Sequence, residues 1–345
     1  MKELLGVSIS KEFIPSIANT IGTDMSSYKV VESWQFAYGP VTSRNGDKVS
    51  IALYTGKEKA IISQAYTVFE VRSQQELLPE YLMMWFRRPE FDRYARFKSH
   101  GSAREIFSWE EMCDVILPVP PIEQQRKIVA EYETISRRIR LNKQIITRLE
   151  ETAQTLYRKM FVDGIDKENL PEGWRMGTIG EIADIKAGGD KPKDFSNYYT
   201  NLYKIPVIAN GIENMGIIGY TKQPVINVPA ITVSARGTIG TCFVRTEPYF
   251  PIVRLISVIP YDKNFLYNLW FQLSYKQFEG DGSVQNQLTI PVLEREEVVI
   301  PECNILEDFD NKISLNHRVI GVKMKQNKIL NNLQLLLLAK MEHQK

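Results

Sequence analysis

Between Pro121 and Gly164 the chain contains neither Pro nor Gly. Nothing there interrupts a helix, and one of roughly 40 residues, about 60 Å long, is expected. LPVPP (117–121) marks its start, because Pro is tolerated in a first helical turn. Within it Ile128, Tyr132, Ile135, Ile139, Asn142, Ile146, Leu149, Ala153, Leu156 and Met160 step by 4 and 3 without a break. A seam sustained this long is a coiled-coil pattern.

The pattern is written twice. IRLNKQII (139–146) and ISLNHRVI (313–320) share Ile-x-Leu-Asn-x-x-x-Ile. In the second copy Leu306, Phe309, Ile313, Asn316 and Ile320 keep the 4-3 step, and Asn304 with Glu307 resembles a capping box. After Gly321 a strict ladder places Lys323 and Gln334 in the seam, while Leu330, Leu333 and Leu337 offer a shifted apolar stripe. A helix with a local irregularity is expected. Two helices of one chain with a globular domain between them pair most economically as antiparallel partners, which implies a dumbbell with an approximate two-fold axis. Either Asn142 and Asn316 are exposed and the seam is off by one residue, or they sit at equal depth and fix register at a cost in stability.

The segments before each helix also correspond. Each reads as an aromatic-rich helix, a Gly-Ser loop (Gly101-Ser102; Gly282-Ser283), a short acidic helix (WEEM; LEREE) and a strand ending in Pro. Further upstream YKVV (28–31) matches YKIP (203–206). KVSIALYT, QAYTVFEV, AITVSA and IVRLISVI read as short strands. VDGIDKENLPEGW (162–174) suits a boundary. The expected fold class is mixed α/β: two small α/β domains separated by two long antiparallel coiled-coil helices, as a pseudo-two-fold internal repeat.

Catalytic patterns are missing. There is no G-x-x-x-x-G-K-[ST], no H-E-x-x-H and no Asn/Asp-Pro-Pro-Tyr/Phe element for extracting an adenine. GDGSVQ (280–285) lacks the third Gly of a dinucleotide loop. Asp310-Asn311-Lys312 only loosely imitates a nuclease triplet and lies on the helical seam. Cys113, Cys242 and Cys303 are scattered, and His100, His317 and His343 lack metal-ligand spacing, so no disulfide framework or metal site is indicated. No apolar run approaches the ~20 residues of a bilayer span, and a cytoplasmic protein is expected. With a net charge of +2, any nucleic-acid contact must come from local patches.

Such patches lie on loops beside strands. Lys186, Lys191 and Lys193 surround a Gly-Gly turn in DIKAGGDKPKDFSNYY (184–199), and Arg236 follows a strand in VSARGTIG (233–240). Arg44 and Lys48 do the same in GPVTSRNGDKVS (39–50). FKSHGSAR and GDGSVQNQ occupy equivalent loops, with Lys98 and Arg104 in one and Gln285, Asn286 and Gln287 in the other. Arg and Lys suit phosphates and guanine edges; Asn and Gln suit adenine edges. Taken singly, each loop reads first as an ordinary solvated turn. Their repetition at matching places favours binding.

Three stretches resemble one family, the DNA-specificity (S) subunit of type I restriction-modification systems. LPVPPIEQQRKIVAEYETI (117–135) resembles its junction between a target-recognition domain and a long helix, where two prolines precede a Glu-Gln-basic stretch. LPEGWRMGTIGEIADIKAGGDKP (170–192) resembles the opening of a recognition domain. IISQAYTVFEV (61–71) with LLPEYLMMWF (77–86) resembles the later part of one. The resemblance implies target-recognition domains at 1–118 and 164–301 and long helices at 119–163 and 302–345. It implies a non-catalytic subunit whose domains each read half of a split double-stranded DNA target. The helices would set the gap and dock two modification (methyltransferase) subunits, and a restriction (helicase-nuclease) subunit would join them. S-adenosylmethionine would be held by the methyltransferase, with no cofactor on this chain. The helix interface would use Ile128, Ile135, Ile139, Asn142, Ile146, Leu149, Phe309, Ile313, Asn316 and Ile320. The other reading is a coiled-coil interaction scaffold without DNA readout. Two departures stand out: the first copy lacks an LPEGW equivalent, and the VIPEC junction (299–303) lacks the Pro-Pro-x-Glu-Gln pattern of 120–124.

Overall fold

The computed structural model describes residues 3–16, 24–43, 45–46, 48–101, 104–278 and 287–343. It divides into two compact units, one of Met1–Lys143 with Met324–Lys345, the other of Gln144–Lys323.

The first unit carries β1 (Leu4–Val7), β2 (Phe13–Pro15), β3 (Lys29–Val31), β4 (Gln35–Gly39), β5 (Ser50–Leu53), β6 (Ala60–Ile62) and β7 (Thr67–Glu70). Helices α1 (Pro79–Phe86), α2 (Pro89–Lys98) and α3 (Trp109–Cys113) follow, and α4 (Ile122–Phe161) begins in this unit. One sheet has the order β2-β1-β6-β3 and the other β5-β4-β7. Tyr81 to Phe86 of α1 are buried without a break, because that helix shares a core with Phe36, Tyr38 and Ile51 of β4 and β5. The same core takes in Ile128 and Tyr132 of α4, and Leu338 and Met341 from far along the chain.

The PPIEQQ motif has a structural reason. Gln125 is fully buried; its amide donates to the carbonyls of Glu76 and Pro120 (2.7 and 2.8 Å) and accepts from the Leu78 N–H (2.9 Å). One side chain thus satisfies three backbone groups and fixes where α4 starts beside α1.

The second unit carries β8 (Arg175–Thr178), α5 (Ile179–Ile182), β9 (Ala183–Ala187), β10 (Ile205–Ile208), β11 (Ile217–Thr221), β12 (Ala230–Val233), β13 (Cys242–Arg245), β14 (Phe250–Pro251) and β15 (Ile256–Pro260). Then come α6 (Phe265–Tyr275), α7 (Ile290–Glu294), β16 (Glu297–Ile300) and α8 (Cys303–Lys340). The sheets are β13-β12-β15-β9, β11-β10-β14 and β16-β8. The missing Pro-Pro-x-Glu-Gln pattern is replaced by another clamp. Gln272 of α6 donates to the Val299 carbonyl and accepts the Val299 N–H, both at 2.8 Å, just before α8.

Several expectations need correction. YKVV and YKIP both yield strands, but β3 pairs antiparallel with β6 whereas β10 pairs parallel with β14. IVRLISVI is not one strand: Val253 and Arg254 have φ of 53° and 57° and form a turn between β14 and β15. The short helix near LEREE begins earlier, at Ile290, and Asn304 lies inside α8, so no capping box starts that helix.

Within the first unit α4 and α8 run antiparallel. Ser136 accepts from Gln334 (2.7 Å), and the Asn142 amide donates to Asn327 (2.9 Å) and Gln326 (3.4 Å), so numbers fall on one helix as they rise on the other. Asn142 is 1% exposed and Asn327 is also buried. The expected match of Asn142 with Asn316 at equal depth does not occur, since Asn316 is only half-buried. Antiparallel register puts Asn142 opposite Asn327. After Gly321 the strict ladder holds at Asn327 and Gln334 while Leu333 is exposed; near the end the buried position passes from Leu337 to Leu338, and α8 is continuous. Within the second unit Ala153, Tyr157 and Phe161 share a core with Phe309 and Ile313. Phe161 and Phe309 meet edge to face at 4.9 Å. Leu156 and Met160 lie at the rim and yield the seam to Tyr157 and Phe161, because a straight helix drifts about 20° per heptad from a 3.5-residue repeat. Ile128, Ile139, Phe309 and Ile313 are buried; Ile135, Ile146, Leu149 and Ile320 are half-buried.

Replacing Asn142 alone by Leu is expected to destabilise the first unit by about 1–3 kcal/mol, because Asn327 loses its buried partner. Replacing both by Leu is expected to recover that loss. Chemical denaturation of the two variants checks this, and equal stability of single and double variants would refute it.

Candidate nucleic-acid interface

In the first unit β4 runs out into residues 40–49 and the chain returns as β5. Residues 99–101 and 104–107 lie alongside that loop. The Thr42 N–H donates to the Glu105 carbonyl (3.0 Å), the Phe107 N–H to that of Pro40 (2.9 Å), and the Thr42 hydroxyl to Ser99 (3.0 Å). Beneath them Lys11 is 5% exposed, with φ of 64°. Its ammonium donates to Asp92 (2.7 Å) and to the Phe86 carbonyl, and Asp92 accepts the Val49 N–H (3.0 Å). Burial holds the Lys11 pKa below the usual lysine range, and Asp92 opposes that shift. This buried pair ties the turn after β1, the helices and the base of the 40–49 loop together.

The second unit assembles its loops differently. β9, β15, β12 and β13 alternate in direction, so the end of β9, the start of β15, the end of β12 and the start of β13 share one edge. The end of β14 leads to the start of β15, and β10 runs parallel to β14. Gly188 allows the close approach: a Cβ there would come within 2.7 Å of the Pro251 backbone. The Val253 and Arg254 N–H groups donate to the carbonyls of Gly189 and Gly188 (2.9 and 3.0 Å). Asn210 bridges inward, donating to the Val253 carbonyl and accepting the Ala235 N–H, both at 2.8 Å. The Leu288 N–H donates to the Ala235 carbonyl (3.0 Å), and Arg236 makes a forked pair with Gln287 (3.0 and 2.7 Å). Residues 188–189, 210, 235–236, 253–254 and 287–288 therefore form one continuous ledge. Below it buried Arg245 donates to Thr232 (3.0 Å) and to the Met215 carbonyl (2.6 Å), bracing the left-handed pair Asn214 and Met215. Burial pulls its pKa down to about 10.

Of the sequence candidates, Lys48 and Arg104 are exposed on the joined loops of the first unit, and Lys98 lies in the last turn of α2, 3.4 Å from Glu111. Arg236 is part of the ledge. Lys191 stands over the Phe195 ring at 3.3 Å, and Lys193 is exposed in the same loop. Lys186 is on β9, paired with Asp184 at 2.8 Å. Arg44, Gln285 and Asn286 lie outside the described residues. Among the described residues no cluster of His, Cys, Asp and Glu could hold a metal ion, and no helix is long and apolar enough to cross a membrane.

The sequence profile described as the type I restriction modification DNA specificity domain matches twice, over residues 10–151 and 171–321. The chain belongs to this family. It is 29% identical to a Mycoplasma pneumoniae protein assigned as a type I specificity subunit, with 86% of this chain and 81% of the relative aligned. It is 20% identical to the specificity subunit of the Haemophilus influenzae type I restriction enzyme HindI, over 94% and 89% of the two chains. The fold matches the crystal structure of a type I restriction-modification S subunit from M. genitalium with a TM-score of 0.67 and 14% identity, covering 90% of this chain and 83% of that one. The chain is thus a type I specificity subunit, a DNA target-recognition component.

For such a subunit, four residues that organise the loops escape sequence inspection: Lys11, Asn210, Arg245 and Arg254. Arg254 left one trace, a charge interrupting an otherwise apolar run. Lys11 left none, because its partner Asp92 is remote in sequence.

Asn210→Ala is expected to cost about 1–3 kcal/mol, since the Ala235 N–H loses its acceptor. Lys11→Met is expected to cost more, about 3–5 kcal/mol, by leaving Asp92 buried without its cation. Thermal unfolding together with amide exchange at Ala235 and Val49 checks both; unchanged exchange at these two amides would refute the bracing roles.

Proposed function

We propose that each matched domain reads one half of a split DNA target, and that this chain supplies sequence recognition while a partner supplies chemistry. The observation that carries the reading is the doubled specificity profile, with each half containing a braced set of loops rich in Arg, Lys, Asn and Gln. In the first domain Lys48, Lys98 and Arg104 are the candidate contacts. In the second they are Lys186, Lys191, Lys193 and Arg236, with Arg254 added from the geometry. Arg44, Gln285 and Asn286 complete the set from the sequence alone. Phosphate contacts would give salt-dependent affinity and position the protein; base-edge contacts would give specificity.

The paired helices are the proposed spacer and the docking face for two modification subunits, which hold S-adenosylmethionine and extrude the target base; a restriction subunit completes the assembly. An apolar groove of about 550 Å³ in the first unit supports docking there. It is lined by Ala130, Ile135, Leu333, Leu336 and Leu337 together with Glu131, Thr134 and Lys340.

Co-expression with the modification subunit followed by genome-wide methylation mapping tests the proposal. Two short defined blocks separated by a fixed unspecified gap are expected. Exchanging residues 164–301 for those of a relative is expected to change one block and leave the other. A contiguous target, or an unchanged one after the exchange, would refute the reading.

A further inference from the structure

Phe97 and Phe278 occupy matching places in the repeat, each four residues before the Gly of its Gly-Ser loop. Their surroundings differ. In the second domain the Phe278 ring lies on Gly240, where a Cβ would come within 2.7 Å of it, and the ring joins the rim of the main core. Phe97 is 82% exposed, more than any other aromatic residue among the described ones.

The exposed ring sits at the end of α2, where the chain enters the loop held beside residues 40–49. Arg96 and Lys98 flank it in sequence, and Arg104 is exposed across the same loop. Arg96 is paired with Glu105 and Lys98 with Glu111, in half-exposed ion pairs. Such pairs contribute little in water and can exchange a carboxylate for a phosphate. An exposed apolar ring on a segment that also carries Arg96, Lys98 and Arg104 suits duplex DNA better than an apolar protein groove. The cations hold the backbone while the ring enters a base step.

We propose that Phe97 is an apolar wedge that partly unstacks and bends the half-site read by the first domain. The second domain, whose Phe278 is packed away, leaves its half-site straight. This rests on the DNA-reading function proposed above.

The test uses the assembled complex with its modification subunits on a duplex carrying the methylation-mapped target, with fluorophore pairs flanking each half-site in turn. Energy transfer is expected to report a bend of about 20–90° across the first half-site and none across the second. Phe97→Ala is expected to remove the bend and weaken DNA binding roughly ten-fold, with thermal stability unchanged, and Phe97→Trp to retain both. Failure of the wild-type complex to prefer the target would sink the DNA-reading function and the wedge with it. Target binding with a straight first half-site, or a bend that persists in Phe97→Ala, would overturn the wedge alone. So would a Phe97→Ala defect in association with the modification subunit in the absence of DNA.

Discussion

The first unit depends on a contact between residues some two hundred positions apart. Leu338 and Met341 pack into the same core as Ile128 and Tyr132 and the buried α1 helix. Glu342 reaches Arg88, whose buried guanidinium also lies over Trp85 at 4.2 Å. Without residues 324–343 that core would open on one side. Burying each large apolar side chain is worth about 1.5–3 kcal/mol, a large part of a domain's marginal stability. The first recognition domain is therefore completed by the second copy's helix.

Above this core, a few buried polar side chains do the positioning. Gln125 and Gln272 satisfy backbone groups where the long helices begin. Lys11 with Asp92, and Arg245 with the Met215 carbonyl, brace loops that carry exposed basic and amide residues. A buried charge is costly unless paired, so each brace favours one loop arrangement over its neighbours. The two domains reach the same end with different hardware. Under the proposed function, such divergence would let each half recognise a different sequence while the helices remain alike.

The long helices, their seam and the repeat were legible because periodicity and the absence of Pro and Gly are local signals. The short strands were legible from β-branched runs. The facing partner of Asn142 was not: antiparallel register depends on the whole length of chain between the helices, and identical phrases suggested a match that geometry excludes. The one-residue drift to Tyr157 and Phe161 follows from helix geometry and could have been anticipated. The candidate basic loops were visible as composition. The residues that brace them were not, because Lys11 and Asp92, or Asn210 and Ala235, meet only in three dimensions. The unequal fates of Phe97 and Phe278 were equally hidden, since the sequence shows two similar loops and not the seat on Gly240.

The completion of the first domain by the second helix is tested most directly by hydrogen exchange on a chain ending at Lys323. Protection is expected to fall across residues 81–86 and 122–143, while residues 175–313 retain theirs. Undiminished protection at Ile128, Tyr132 and Met84 would contradict the account, for it would mean the first domain closes its core without residues 324–343.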